Sequence, residues 1–352
     1  MSKMMNGQVA IAESAIRAGA RLYAGYPITP STEIMEYASW RMAEVGGTFI
    51  QAESEIAGIY MVMGGLAAGV RSFTASSGPG ISLKQEAISV IADEQLPGVI
   101  INVVRYGSGI GTLTTGQSDY LRDTRGGGNG DYRTIVLCPE SIQEASDLTV
   151  LAFDLAEKYR MVSMLMTEGA LAQMKEPCTL PEMQEPKKFP WGFDGKYTNK
   201  KIGIFDRNSI IEAKEMQEKY KLVKDNEQRW ESKYVEDADY VFVAYGLPAR
   251  STKGAVEELR AEGHKVGYIR VITAWPFPEN AFKEVNENVK GFISIEANAT
   301  GQLIDDIALT AKRLGRGNVP VYCEPHILGV PSTKAIREDF AKVVSGEMKE
   351  VY

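Results

Sequence analysis

Apolar positions recur along the chain in two rhythms, and their alternation predicts the fold class. Between Gly7 and Ala20, residues Val9, Ala10, Ala12, Ala15, Ile16 and Ala18 keep the spacing of a helix packed along one face. Arg21–Tyr26 is short and apolar, a strand, and Glu33–Ala43 is a second helix. Thr48–Gln51 reads as the next strand. Ile59–Ala68 is so dominated by apolar and small residues that it is expected as a helix buried on nearly all sides. Val70–Ser76 is a third strand, Leu83–Ile91 a helix, and Val99–Val104 a fourth strand rich in Val and Ile. Thr134–Cys138 is another strand, Ser141–Lys158 a helix and Met161–Met166 a last apolar strand. Strands that alternate with helices and read as continuous apolar runs indicate a parallel sheet covered on both faces.

The rhythm stops near Met174. From Lys175 to Gly203 the chain carries several prolines and lysines without periodicity, which predicts a linker or a surface arm. Glu212–Lys233 is charged and reads as a helix along a domain edge. A second α/β unit begins at Asp239: strand Tyr240–Tyr245, a turn at Gly246 into a helix ending near Gly263, then strand Lys265–Ile272, interrupted by Trp275-Pro276-Phe277-Pro278. Gly291–Ile295 is a strand, Gly301-Gln302 opens a helix, and Val319–Tyr322 is the last strand. The expectation is two doubly wound parallel-sheet domains, residues 1–174 and 235–352, joined by a linker arm and edge helix over 175–234.

Composition narrows the function classes. The chain has 352 residues and a net charge of −7, with no basic block, which argues against a nucleic-acid surface. The N-terminus has no apolar core of signal-peptide length, and no apolar run approaches the ~18 residues of a membrane span, so a cytoplasmic location is expected. Cys138, Cys178 and Cys323 are far apart and form no C-x-x-C pair; they read as small buried hydrophobes, and neither zinc nor an iron–sulfur cluster can be built from them. His264 and His326 lie far from the motifs below and read as surface or packing residues.

Candidate chemistry sits where strands end. Pro27-Ile28-Thr29-Pro30-Ser31-Thr32-Glu33 is a rigid loop at a strand's carboxyl end, where ligands bind in doubly wound sheets, although a plain proline-rich turn has the same pattern. Glu53 and Glu55 open the apolar helix, as a dipole-stabilised cap or as a working acid. Ser76-Ser77-Gly78-Pro79-Gly80 turns a strand into a helix. Arg105 closes a buried strand and has to meet an anion or reach water; Asp119 and Asp123 are the alternative partners. Tyr106–Arg133 is a long Gly-, Thr- and Asp-rich stretch of the kind that carries function.

Y-P-I-T-P-S-T-E at 26 to 33, S-E-I-A-G at 54 to 58 and F-T-A-S-S-G-P-G at 73 to 80, followed by E-A-N-x-x-G-Q at 296 to 302, resemble the alpha subunit of 2-oxoacid:ferredoxin oxidoreductases along the whole chain. By length the chain is similar to the stand-alone subunit of the branched-chain (3-methyl-2-oxobutanoate) or 2-oxoglutarate enzymes. The resemblance implies thiamine diphosphate as cofactor, a pyrimidine-binding-type first domain, a transketolase carboxy-terminal-type last domain, and CoA-dependent oxidative decarboxylation with electrons passing to ferredoxin. It implies a glutamate hydrogen-bonded to N1′ of the aminopyrimidine, and an apolar setting that favours the protonated carboxyl. In related domains that glutamate stands nine residues before the first glycine of a G-x-x-x-A-G segment, which from Gly64 selects Glu55; Glu53 falls where relatives carry an amide or another acid. By the same resemblance Thr29 and Arg105 hold the substrate's oxo acid, Arg105 in bidentate pairing with its carboxylate, and Tyr26, Pro27, Ile28 and Ser76 line the cofactor.

A G-D-G…N signature for magnesium and diphosphate is missing; Gly130-Asp131-Tyr132 lacks the second glycine. The resemblance then places the diphosphate half and Mg2+ on a thiamine-diphosphate-binding beta subunit and the iron–sulfur clusters on a ferredoxin-like subunit, with a gamma subunit completing the assembly. A scaffolding pyrimidine-type module without catalysis, and a dehydrogenase passing acyl groups to lipoamide, are the rivals. Glu55, Thr29 and Arg105 together argue against the first, and Y-P-I-T-P argues against the second. For the substrate, Ile28, Ile110 and Leu113 near the motifs favour a branched chain over 2-oxoglutarate; the remaining cations, Arg122, Arg125 and Arg133, lie in the long loop.

Overall fold

The computed structural model describes residues 2–187, 189, 191–192, 209–327 and 329–352. The chain starts with β1 (Lys3–Asn6) and α1 (Gly7–Arg17), whose N-cap Asn6 accepts from the main chain of Gln8 and Val9. β2 (Leu22–Gly25), α2 (Thr32–Glu44), β3 (Thr48–Gln51), α3 (Glu55–Ala67), β4 (Ser72–Ser76), α4 (Gly78–Asp93) and β5 (Val99–Val104) follow in strict alternation. The long stretch after β5 is not all loop. It holds α5 (Tyr120–Arg125) before β6 (Ile135–Leu137), α6 (Ile142–Tyr159), β7 (Ser163–Glu168), α7 (Gly169–Gln173) and β8 (Lys175–Cys178). The aperiodic stretch expected from Lys175 therefore begins as a strand, which pairs antiparallel with β1. Of that stretch, 188, 190 and 193–208 lie outside the described residues.

α8 (Ser209–Asn226) is shorter than the helix expected over Glu212–Lys233, because its last residues form β9 (Trp230–Lys233). β9 pairs antiparallel with β11 (Val266–Val271), a long-range contact that overrides the local charge pattern. β10 (Tyr240–Tyr245), α9 (Gly246–Ala261), β11, β12 (Thr273–Trp275), a 3-10 turn (Glu279–Glu284), β13 (Gly291–Ile295), α10 (Ile304–Arg313), β14 (Val321–Cys323) and α11 (Thr333–Ser345) complete the described chain.

Two sheets organise these elements. The larger has the order β12-β6-β7-β5-β4-β2-β3, parallel except for β12, which crosses from the second half of the chain to pair antiparallel with β6. The other is β14-β13-β10-β11-β9, parallel except for the edge strand β9. One core, including Ile11, Ile16, Tyr23, Phe73, Ile101 and Phe153, fills the first sheet's faces. Phe242, Val256, Ile293 and Phe340 anchor a separate core beneath α9 and α11.

The topology fixes where a site can form. β2 and β4 are neighbours, yet the chain leaves β2 towards β3 and leaves β4 the other way towards β5. With right-handed crossovers, α2 and α4 then lie on opposite faces, and a crevice opens above the ends of β2 and β4. α1, α2 and α6 pack together in one layer, and α3 packs on α4 in the other. The two halves meet at α5: Tyr120 donates to Asp306 Oδ2 at 2.6 Å, Arg125 pairs with Asp306 Oδ1 at 2.8 Å, and the Leu121 N–H reaches Gln302 Oε1 at 3.0 Å. Among the described residues no helix is long and apolar enough to cross a membrane.

Candidate active site

The crevice at the β2–β4 switch point gathers residues from four strand ends. Ser54 caps α3, its hydroxyl accepting from the Ala57 N–H at 3.2 Å, so neither acid is needed as the cap. Glu53 is exposed, whereas Glu55, the first residue of α3, is 8% exposed. Among the described residues the Glu55 carboxyl accepts no hydrogen bond. Its place is set by two glycines. A Cβ on Gly58 would sit 3.0 Å from Gly25 Cα, so only glycine lets α3 lie this close to the end of β2. A Cβ on Gly80 would collide with Ser76 Oγ and lie 2.9 Å from Glu55 Oε1, so Glu55, Ser76 and Gly80 share one small space.

α3 is not buried on nearly all sides. Ile56 is 46% exposed, and Tyr60 and Met61 on the same side are also open to solvent. The sequence does not separate an apolar face made for the chain's own core from one made for another surface. The glycine-rich turn at 77–80 is likewise part of α4: Ser77 is the N-cap, Pro79 stands in the first turn, and Gly78 has φ 42°. Among the described residues the hydroxyls of Thr74, Ser76 and Ser77 are buried without a partner. Buried polar atoms are ordinarily paired, so this cluster is able to accept a water or a bound polar group.

Arg105, just past β5, is 7% exposed. Its Nη1 donates to the Thr29 carbonyl at 2.8 Å, Nη2 donates to the Ile110 carbonyl, and Nε lacks a partner. The alternative pairing with Asp119 or Asp123 does not form. Arg122 takes both, Nη2 to Asp119 at 2.7 Å and Nε to Asp123 at 3.1 Å, with Asn102 Nδ2 bonded to the two carboxylates as well. Burial pushes the Asp123 carboxyl up despite that cation. Arg105 is thus a buried cation held by carbonyls, with no carboxylate of the described residues against it. Thr29 is exposed beside it, Tyr26 is exposed, and Pro27 and Ile28 are half-buried between them. The structure therefore brings Glu55, Ser76, Arg105 and the 26–29 loop to one crevice, with Gly78 and Gly80 at its centre. A neighbouring cleft of about 510 Å³ runs from Gly78 and Ser82 past Tyr106 and Arg122 to Asn298 and Gln302, at the seam of the two halves.

One residue of this crevice carries no motif. Lys84 in α4 is fully buried, and its Nζ donates to the Glu55 main-chain carbonyl at 3.1 Å. Burial pulls its ammonium down to about 8, and the nearby Glu55 charge opposes that fall. The available signal was positional: Lys84 lies on the stripe Ile81, Lys84, Ile88, Ile91, whose spacing is that of a buried helix face.

A family model described as "Pyruvate flavodoxin/ferredoxin oxidoreductase, thiamine diP-bdg" matches residues 13–240, and "Pyruvate:ferredoxin oxidoreductase core domain II" matches 238–323. The chain belongs to the 2-oxoacid:ferredoxin oxidoreductase family. It is a subunit of the oxidoreductase class and carries that family's thiamine diphosphate-binding domain. It is 45% identical over 317 residues to the ketoisovalerate oxidoreductase subunit VorB of Methanothermobacter marburgensis, covering 88% of this chain and 90% of that one. With the 2-oxoglutarate synthase subunit KorA of Methanocaldococcus jannaschii it shares 36% identity, covering 93% of this chain and 99% of that one. A solved 2-oxoglutarate:ferredoxin oxidoreductase from Magnetococcus marinus, with 2-oxoglutarate, coenzyme A and succinyl-CoA bound, superposes with a TM-score of 0.85 at 26% identity. That match covers 97% of this oxidoreductase subunit and 65% of the longer chain. An inactive split-gene transketolase shares the fold at 12% identity and a TM-score of 0.61, covering 97% of this chain and 99% of that one.

Proposed function

We propose that this subunit supplies the pyrimidine half of a thiamine diphosphate site for CoA-dependent oxidative decarboxylation of a branched-chain 2-oxoacid, 3-methyl-2-oxobutanoate, with electrons passing to ferredoxin. The observation that carries the reading is Glu55: a carboxyl buried at the head of α3 with no hydrogen bond from the described residues, facing the unpaired Ser76 hydroxyl across a space kept open by Gly80. That donor set fits an aminopyrimidine, which needs a carboxyl at its ring nitrogen, and Tyr26, Pro27, Ile28 and Ser76 would line the ring. Bound there, thiamine diphosphate supplies the electron sink for decarboxylating a 2-oxoacid. Glu55 would be the group that holds and passes the proton at N1′.

Arg105 meets the substrate carboxylate with its fork already held by Thr29 and Ile110 carbonyls, so little orientation is lost on binding. The Thr29 hydroxyl hydrogen-bonds the oxo acid beside it. Substrate choice rests on the far end. Arg122 is engaged by Asp119 and Asp123 and Arg125 by Asp306, while Arg133 donates through Nη1 to the Arg125 and Tyr132 carbonyls. Neither Arg122 nor Arg125 is left to meet a second carboxylate, and burying one unpaired would cost several kcal/mol. Ile110 and Leu113 are instead strongly exposed on the loop after Arg105, ready to border an apolar side chain. The likeness to a ketoisovalerate oxidoreductase subunit supports the same choice.

The other half of the site belongs on partner subunits. Tyr26, Ile56, Tyr60, Leu83, Ile110 and Leu113 are exposed on the same elements that carry the site, an apolar rim of the kind a partner covers. A beta subunit with the diphosphate signature and Mg2+, a gamma subunit and a ferredoxin-like iron–sulfur subunit complete the cytoplasmic enzyme. The test compares kcat/KM for 3-methyl-2-oxobutanoate and 2-oxoglutarate in the reconstituted complex and in the purified chain alone. Preference for the branched acid in the complex, and no turnover by the chain alone, are expected. Preference for the diacid sinks the substrate, turnover by the chain alone sinks the half-site, and a complex whose rate ignores Glu55→Gln makes the chain a scaffold.

A further inference from the structure

Lys84 stands where the helix pattern calls for an apolar residue, and its position costs stability. An ammonium taken wholly out of water needs several strong acceptors, yet among the described residues Lys84 Nζ has one hydrogen bond, to a main-chain carbonyl. Replacing such a buried charge by an apolar side chain of like size is often neutral or stabilising. A local rule broken at a loss, beside the acid on which the proposed chemistry turns, points to function.

We propose that Lys84 is a positioning residue for Glu55: it ties down the first turn of α3, and its charge supports the Glu55 carboxylate during the half of each proton exchange in which the proton is away. The proposal rests on the reading of Glu55 as the acid at N1′. A cation in the same low-dielectric space favours the half of that exchange in which the carboxylate is charged. α4 packs on α3, and of the groups on these helices Glu55 is the one whose charge acts on Lys84. Glu86 is engaged by the Tyr60 hydroxyl, while Arg105 and Arg122 flank the head of α4 at Gly78. As pH rises through about 8 the Lys84 ammonium is lost, and its support of Glu55 goes with it.

The experiment uses the reconstituted complex, first without coenzyme. A titration of 15N-lysine signals, with Lys84 assigned by Lys84→Met, should show Lys84 losing its proton near 8, and at lower pH in Glu55→Gln, where the opposing charge is gone. With coenzyme and substrate, Lys84→Met should lower kcat about tenfold near neutral pH, leave KM within about twofold, and remove the alkaline inflection of kcat, without lowering Tm. If Lys84→Met does not assemble, Lys84→Gln, which keeps a donor without the charge, should give the same loss. An unchanged pH profile in either variant, or a Lys84 titration indifferent to Glu55→Gln, overturns the proposal. Failure of the Glu55 reading would show separately, as full turnover by Glu55→Gln.

Discussion

Two buried glutamates, one in each half of the molecule, have opposite surroundings. Glu296, past the end of β13, is fully buried and saturated: it accepts from Ser294 Oγ at 2.7 Å, Asn298 Nδ2 at 2.8 Å, and the main-chain N–H groups of Gln302 and Leu303 at 2.7 and 2.9 Å. Its neighbour Asn298 accepts from the Gly301 N–H at 2.7 Å, and Gln302 reaches the Ser118 carbonyl at 3.0 Å. The E-A-N-x-x-G-Q motif is thus a self-contained knot at the seam with the first half. Glu55 is nearly as buried and, among the described residues, accepts nothing, amid unpaired hydroxyls and an exposed apolar rim. One site is finished within the chain; the other, on the function proposed above, is completed by molecules that join it.

The contrast can be broken from either side. The largest expected effect is on the finished site: Glu296→Ala removes the acceptor for four donors and should cost about 3–5 kcal/mol of stability, read by denaturant unfolding. Glu55→Ala should leave the unfolding midpoint nearly unmoved, and equal losses at the two would erase the distinction. Gly80→Ala comes next. The added methyl displaces Ser76 or Glu55, and a misplacement on the order of 1 Å should lower kcat about a hundredfold while assembly persists. Arg105→Lys cannot reach both the Thr29 and Ile110 carbonyls and lacks the fork for a carboxylate. It should raise KM about tenfold, roughly 1.5 kcal/mol, with a smaller change in kcat.

The smallest effect concerns the seam. Burial pushes the Glu168 carboxyl up to about 7 from 4.5, against hydrogen bonds from Gln117 Nε2 at 2.7 Å and the Leu247 N–H at 3.2 Å. A carboxyl that binds its proton more tightly when folded stabilises the fold fully below 4.5 and loses that contribution as pH rises through about 7. Glu168→Gln should therefore flatten the fall in Tm between about pH 5 and pH 8 seen in the parent chain. A variant that keeps the same slope would place the titration elsewhere.

Much of this was legible in the chain. Parallel strands buried on both faces read as runs such as Val99–Val104, and the loops after β2, β3 and β4 marked the crevice because doubly wound sheets bind ligands at strand ends. Local patterns fell short where a distant partner decided the outcome. β12 joins the first sheet only because β6 offers an edge, and β9 is a strand only because β11 does. The exposed side of α3 has the same letters as a core face. Arg105 could be seen as a cation in search of an anion, but its release from Asp119 and Asp123 depends on Arg122, one turn of α5 away from what the sequence could place. Lys84 was hidden because a lysine in a helix ordinarily reads as surface, although its neighbours on the stripe were all isoleucine.

The unfinished character of Glu55 is tested most directly by hydrogen–deuterium exchange at the thiazolium carbon of thiamine diphosphate in the reconstituted complex, comparing the parent with Glu55→Gln and Glu53→Gln. Buried Glu55 should be required and exposed Glu53 dispensable: exchange slowed by about 10²–10⁴-fold in Glu55→Gln, unchanged in Glu53→Gln, with both variants assembled. Full exchange in Glu55→Gln, or its loss in Glu53→Gln alone, would contradict the account.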